Sequence, residues 1–271
     1  MTLSADKLTS SKITDIEVLR GLAVFGVISF HYFSFLMDHY HSGQTGLLPY
    51  WGTWTGVDLF FTISGYVIGR SLLPQMQSCR TFSAFYLEAG AFWLRRIWRL
   101  LPSSWLWLLL ALVLSVFCNH SQIFGSIQSN LWATLAGLGN YANFRLKYHF
   151  LDYGVSRVYW SLSLEEQFYL LFPLLVFVMR RNLYLLLIGV FLWRACSVHD
   201  YAALLFRTEG IVLGVLLALW QSHSSWQRLS QALAKITPVS CPCLRCYWWP
   251  CLACWAVNIF MISIIRSQLW R

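Results

Sequence analysis

Residues 100–144 read LLPSSWLWLLLALVLSVFCNHSQIFGSIQSNLWATLAGLGNYANF, a run without one Lys, Arg, Asp or Glu. Soluble domains carry roughly a quarter charged residues, so a charge-free stretch of this length belongs in lipid. One crossing takes about 20 mostly apolar residues. The run therefore reads as two helices folded as a hairpin, with polar Asn119-His120-Ser121-Gln122 as the turn. The rest of the 271-residue chain agrees, being 58% hydrophobic, 17% aromatic and only 11% charged. That composition excludes a soluble globular protein. It also excludes a disordered chain, because 15 Trp, 13 Tyr and 19 Phe offer more apolar surface than a solvated polymer leaves exposed.

Working outward from the hairpin with the same length criterion gives an all-α fold, a polytopic transmembrane bundle of about eight spanning helices. The segments run approximately 18–37, 55–73, 100–118, 123–141, 163–179, 182–197, 203–220 and 246–265. The first is a retained helix and not a signal peptide: it contains Arg20 and His31 and lacks a small-residue cleavage site. Lys7, Lys12 and Arg20 precede or open it, the loop 38–54 has no Lys or Arg, and Arg70, Arg80, Arg95, Arg96 and Arg99 follow the second segment. By the positive-inside rule the N-terminus is cytoplasmic. Further on the rule conflicts with itself, since Arg145, Lys147 and Arg157 precede the fifth segment while Arg180 and Arg181 follow it. One resolution is that the fourth segment does not fully span. The formal charge of +9, from 20 Lys and Arg against 11 Asp and Glu, gathers at these membrane boundaries and indicates no nucleic-acid partner.

Ionisable groups within spanning segments are costly and mark sites by default. Arg20 and His31 lie eleven residues apart, about three turns and 16 Å along one helix face. Either alone reads as a snorkelling anchor or a core histidine; the shared face favours a joint site. Arg95-Arg96-x2-Arg99-Leu-Leu-Pro opens the third segment, and Arg96 and Arg99 share a face suited to bidentate contacts with a polyanion. A topogenic role satisfies the same spacing. In Trp160-Ser-Leu-Ser-Leu-Glu-Glu-Gln-Phe-Tyr169 a helix dipole and a Ser163 cap account for one carboxylate better than for two. Neighbouring residues diverge by about 100° on a helix, so one of Glu165 and Glu166 faces the same interior as His31. Asp58 sits in apolar Gly56-Val-Asp-Leu-Phe-Phe-Thr-Ile-Ser-Gly-Tyr66 and is either paired with an arginine or catalytic. Arg207 and Glu209 open the seventh segment, where Gly210, Gly214 and Ala218 form a packing stripe.

Eight Cys are present, and Cys241, Cys243, Cys246, Cys251 and Cys254 crowd together beside Tyr247, Trp248 and Trp249. A disulfide framework is not implied. The spacing departs from separated zinc knuckles, so no metal is expected; palmitoylation or incidental composition accounts for the cluster.

Together these elements resemble the acyltransferase 3 family of multi-pass membrane acyltransferases, which includes O-antigen O-acetylases. The matching motifs, in order, are Arg20-x10-His31, Gly56–Tyr66, Arg95-Arg96-x2-Arg99-Leu-Leu-Pro, Trp160–Tyr169, and Phe206-Arg-Thr-Glu-Gly-x3-Gly-x3-Ala218. The domain organisation that follows is a cytoplasmic tail 1–17, an acyltransferase 3-like membrane domain 18–220, and a divergent part 221–271 with one further transmembrane helix. The resemblance implies transfer of an acyl group, typically acetyl from acetyl-CoA, to a hydroxyl of a cell-surface or lipid-linked carbohydrate. By position it makes His31 the catalytic histidine and Glu165 the motif acid. Arg20, Arg96 and Arg99 fall on the donor side, and Asp58 and Arg207 are supporting residues. No permanently bound cofactor is implied, acyl-CoA being a substrate, and the setting is the cytoplasmic (inner) membrane of a bacterium, as for lipopolysaccharide modification. Two departures stand out. Family members often have a His where this chain has Val158, and the resemblance fades after Trp220, which fits a truncated, divergent or frame-altered tail. Other classes that use the same charges are a proton-coupled transporter or flippase, with Arg20, His31, Asp58 and Glu165 as relay groups, and an inactive family remnant.

Overall fold

The computed structural model describes residues 14–40, 56–120, 123–197, 205–221, 223–226 and 228. Among them every regular element is helical: α1 Thr14–Tyr40, α2 Gly56–Ser78, α3 Phe82–Phe117, α4 Ile127–Leu138, α5 Ala142–Tyr148, α6 Tyr159–Met179, α7 Leu183–Cys196 and α8 Glu209–Gln221. Short 3-10 turns at Val155–Val158 and Arg180–Asn182 precede α6 and α7. The cysteine cluster and the segment 246–265 lie outside the described residues.

Three stretches among the described residues are long and apolar enough to cross a membrane: Gly56–Ser78, Phe82–Phe117 and Val155–Arg194. The third is broken at Arg180, whose φ of 39° and ψ of −104° lie outside the helical region, so α6 and α7 are separate helices. The expected count of about eight is not reached among the described residues. Segment 123–141 becomes the 12-residue α4, about 18 Å long against a hydrocarbon core of about 30 Å, in keeping with a segment that does not fully span. The sixth and seventh segments likewise become helices of 14 and 13 residues.

The arginine cluster does not open α3. The helix starts at Phe82, where the Thr81 side chain caps by accepting from the Ala84 amide at 3.3 Å. Charge on one face does not end a helix, so α3 runs through Arg95, Arg96 and Arg99 before entering the apolar stretch that begins at Leu100. Ser163 likewise does not cap α6, which begins a turn earlier at Tyr159.

Helix α2 lies at the centre, with every residue from Phe61 to Tyr66 buried. Its far half packs Ile68, Leu72 and Met76 against Phe85 and Phe92 of α3, Phe172 of α6, Leu187 of α7 and Val215 of α8. Its near half joins Leu59 and Ile63 to Leu19 and Ala23 of α1. The outer face of α3 exposes Leu94, Trp98, Leu106 and Trp107, as lipid contact requires and water does not favour.

The tightest contact is between α2 and α8. A methyl group built on Gly65 would overlap the Ile211 carbonyl, and one on Gly214 would overlap the Thr62 carbonyl and stand 2.6 Å from the Tyr66 amide. Glycine is needed at both positions because backbone faces backbone, the small-residue packing that holds membrane helices together. Just before α8, Arg207 Nε stands 3.0 Å from Asp58 Oδ1 of α2. From α7, Arg194 Nε stands 3.4 Å from Glu209 Oε2. Arg207 and Arg194 are both buried, so these pairs compensate charges that would otherwise be expensive in lipid. Asp58→Ala is expected to lower stability by about 3 kcal/mol, as loss of one partner from a buried pair does. Thermal unfolding in detergent checks this, and adding Arg207→Leu should recover much of the loss; an unchanged midpoint for the single variant would contradict it.

Candidate functional site

The site is built on the first three turns of α6. Glu165 is buried at 4% exposure. One turn later, at the i+4 spacing that puts two side chains on one face, the Tyr169 hydroxyl donates to its Oε1. From α2, the Ser64 hydroxyl lies within hydrogen-bonding reach of the same carboxylate. From α3, Arg96 lays its guanidinium 4.9 Å from the Tyr169 ring centroid and 5.6 Å from that of Phe92, and it interacts electrostatically with Glu165. The Trp93 indole donates to the Tyr169 carbonyl at 3.1 Å, which fixes the register of α3 against α6. Arg20 of α1 also lies within electrostatic reach of Glu165 and Arg96. Four helices thus converge on one buried acid.

The other face of the same turns anchors α5. The Ser163 hydroxyl accepts from the Ala142 amide at 3.2 Å. The Gln167 amide donates to the Asn140 carbonyl at 2.8 Å and exchanges hydrogen bonds with Asn143 at 2.9 and 3.2 Å. The Ser-x-Glu-x-Gln-x-Tyr pattern therefore splits by face: Ser163 and Gln167 hold the neighbouring segment, while Glu165 and Tyr169 meet the arginine. Glu166 diverges from this axis and is part-buried, its Oε1 without a hydrogen-bond partner among the described residues.

Not every expected residue joins the cluster. Arg20, Arg96 and Glu165 come together. Arg99 is exposed one turn beyond Arg96, close enough to influence it electrostatically. Arg20 also pairs with Glu17 at 3.0 Å. His31 is exposed on α1 and meets the Phe30 ring edge-on at 5.6 Å; no contact among the described residues joins it to Glu165. Asp58 and Arg207 bind each other and tie α2 to α8, a scaffold role. Val158 is exposed at the end of the 3-10 turn before α6. Ser64 and the hydroxyl of Tyr169 were not singled out by motif reading. The i+4 spacing of Glu165 and Tyr169 was a usable signal, whereas the approach of Ser64 depends on how α2 packs.

Fold and site together define a multi-helix membrane protein with a buried acid and arginine at its centre. The sequence matches the Acyltransferase domain family over residues 13–267, and the chain belongs to that family. The matched stretch continues past Trp220 through the cysteine-rich region. The chain is similar to "Peptidoglycan O-acetyltransferase OatA" of Listeria monocytogenes, 32% identical over 173 residues, which is 61% of this chain and 25% of the relative. It is also similar to "Putative peptidoglycan O-acetyltransferase YrhL" of Bacillus subtilis, 29% identical over 170 residues, 61% of this chain and 24% of the relative. A third relative is "Putative O-acetyltransferase SACOL0978" of Staphylococcus aureus, 26% identical over 234 residues, 77% of this chain and 35% of the relative. The chain spans about a quarter to a third of the length of these relatives. No solved structure matches it.

Proposed function

We propose that this protein is an O-acetyltransferase of the cytoplasmic membrane, moving acetyl from acetyl-CoA to a hydroxyl of a carbohydrate on the far side, with its N-terminus cytoplasmic. The observation that carries the reading is the convergence of Arg20 and Arg96, from two helices, on buried Glu165 of a third, in a chain whose relatives are named as O-acetyltransferases. CoA is a cytoplasmic polyanion. Arg99 and Arg96, just before the apolar stretch of α3 that begins at Leu100, suit its phosphates, because guanidinium forks match phosphate oxygens. The narrow pantetheine arm then runs along the α1 face from Arg20 toward His31, about 16 Å further on.

His31 acts as general base. It takes the acceptor hydroxyl's proton as the oxygen attacks the thioester carbonyl, the new C–O ester bond forms, and the C–S bond breaks to release CoA thiolate. The thiolate recovers a proton from the imidazolium or solvent. Glu165, bonded to Tyr169 and Ser64, balances the charge of Arg96 and Arg20 and so keeps the donor channel from repelling its own arginines apart. Its role is positional toward the donor, in place of a direct contact with the imidazole. Peptidoglycan is the acceptor that two of the relatives' names suggest, and it takes precedence here over lipopolysaccharide.

Membranes bearing the protein, given radiolabelled acetyl-CoA and a lipid-linked glycan, should transfer label to the glycan; glycan movement across the membrane without label would support the transporter reading instead. Arg96→Ala with Arg99→Ala should raise the KM for acetyl-CoA by about tenfold or more, given the strength of charge-assisted hydrogen bonds to phosphate. An unchanged KM would return both arginines to a topogenic role.

A further inference from the structure

The cations of α5 and of the 3-10 turn before α6 are unexplained by the donor site. Residues 141–158 carry Arg145, Lys147 and Arg157 against a single acid, Asp152, whose carboxylate accepts from the Ser129 hydroxyl. This group lies near the start of α6, away from Arg180 and Arg181 past its end. The Tyr159 hydroxyl, at the start of α6, donates to the Ser104 carbonyl well along α3 at 2.9 Å, whereas Arg180 past its end donates to the Cys79 carbonyl before α3 begins, at 3.0 Å. With the N-terminus cytoplasmic, Arg145, Lys147 and Arg157 gather near the start of α6, deeper along the bundle than the Arg180 end, where the positive-inside rule does not call for them.

Their surroundings are those of a binding surface. Arg145 stands 6.0 Å from the Trp132 ring centroid and 5.8 Å from that of Tyr153. Lys147 stands 5.9 Å from Phe206, and Arg157 4.9 Å from Phe150. Tyr153 is fully buried, and its hydroxyl and Arg145 Nε are both buried without a hydrogen-bond partner among the described residues. Such donors are costly to leave unmade. Burial raises the Tyr153 hydroxyl well above the ordinary phenol range, so it stays protonated and able to donate. Trp132, about half exposed, offers the flat apolar face on which a sugar ring packs.

We propose that Arg145, flanked by Lys147 and Arg157 and set beside Trp132, is the anion-binding part of the acceptor site, taking a phosphate or carboxylate carried by the glycan. This rests on the acetyltransferase reading for the word acceptor, but not for the anion preference itself. The test is binding of N-acetylglucosamine 1-phosphate and of neutral N-acetylglucosamine to the full chain in phosphatidylcholine nanodiscs, with CoA binding measured on the same samples. The phosphorylated sugar should bind about tenfold tighter, the scale of a charge-assisted pair, and Arg145→Ala should erase that preference while CoA binding persists. Should that variant fail to fold, Lys147→Ala with Arg157→Ala, both exposed positions, should reduce the preference severalfold. Equal binding of the two sugars, or a preference untouched by these variants, overturns the proposal. So does displacement of the sugar phosphate by phosphatidylglycerol nanodiscs, which would assign the cluster to lipid headgroups. Wild-type protein that prefers the sugar phosphate yet ignores CoA would overturn the transferase reading and leave the anion site standing.

Discussion

His31→Ala should reduce acetyl transfer by about a hundredfold to ten-thousandfold, the range that a positioned general base contributes, while the protein still inserts and folds. The second half of that expectation comes from the structure. The imidazole is exposed on α1 and, among the described residues, meets the Phe30 ring by an edge contact, so removing it empties no core and breaks no buried network there. An Asp58 or Glu165 variant should lose activity and scaffold together, whereas His31→Ala should separate the two. The measurement is label transfer from acetyl-CoA alongside the unfolding midpoint of the same preparation. Full activity in the alanine variant would remove His31 from the mechanism. Loss of activity with a large drop in midpoint would mark it as a packing residue.

Gly214→Leu is expected to destabilise the bundle by about 3 kcal/mol or more, at the upper end for overpacking. The first added carbon meets the Thr62 carbonyl, the Tyr66 amide at 2.6 Å and the Gly65 carbonyl carbon at 3.0 Å. All three are backbone of the central helix, so no rotamer change relieves the overlap, and α2 and α8 must separate. That separation would carry Ser64 away from Glu165 and pull Asp58 from Arg207, coupling the packing defect to the site. Gly189→Leu on α7 is the control, since nothing lies within 4 Å of the place its first added carbon would take; its unfolding midpoint in detergent should stay near that of the parent. Equal midpoints for the Gly214 variant and the parent protein would falsify the close-packing account.

Much of the site could be read along the chain, though not its geometry. Arg96 and Glu165 each stand out as an unusual charge in apolar surroundings, but the sequence reading sets Glu165 toward His31 and Arg96 toward the donor, and their shared space comes only from the packing of α3 on α6. Helical divergence sets one glutamate toward the same interior as His31; the structure buries Glu165 with Tyr169, leaves Glu166 part-buried, and shows His31 exposed. Arg194 escaped notice because a single arginine near a helix end has an ordinary explanation, and only its approach to Glu209 from a different helix gives it a role. Boundary differences have one origin. Apolarity marks where lipid begins, but a helix is ended by lost backbone hydrogen bonds, so α3 and α6 both extend beyond their apolar stretches.

Composition and the charge-free run 100–144 were enough to determine a helical membrane protein, because lipid leaves backbone groups few other ways to be satisfied. The ordered motifs determined the family. What only the tertiary structure decided is which charges share a space. Periodicity places Asp58, Glu165 and Arg96 each on a helix face, and Arg207 stands just before α8, but the partner of each is set by the close approach of α2 to α8 and the register of α3 on α6. Those contacts sort the charges into an Asp58–Arg207 clamp and a Glu165–Arg96 centre. The hydrogen bonds of α6 at its two ends likewise keep Arg145, Lys147 and Arg157 near its start and Arg180 apart from them.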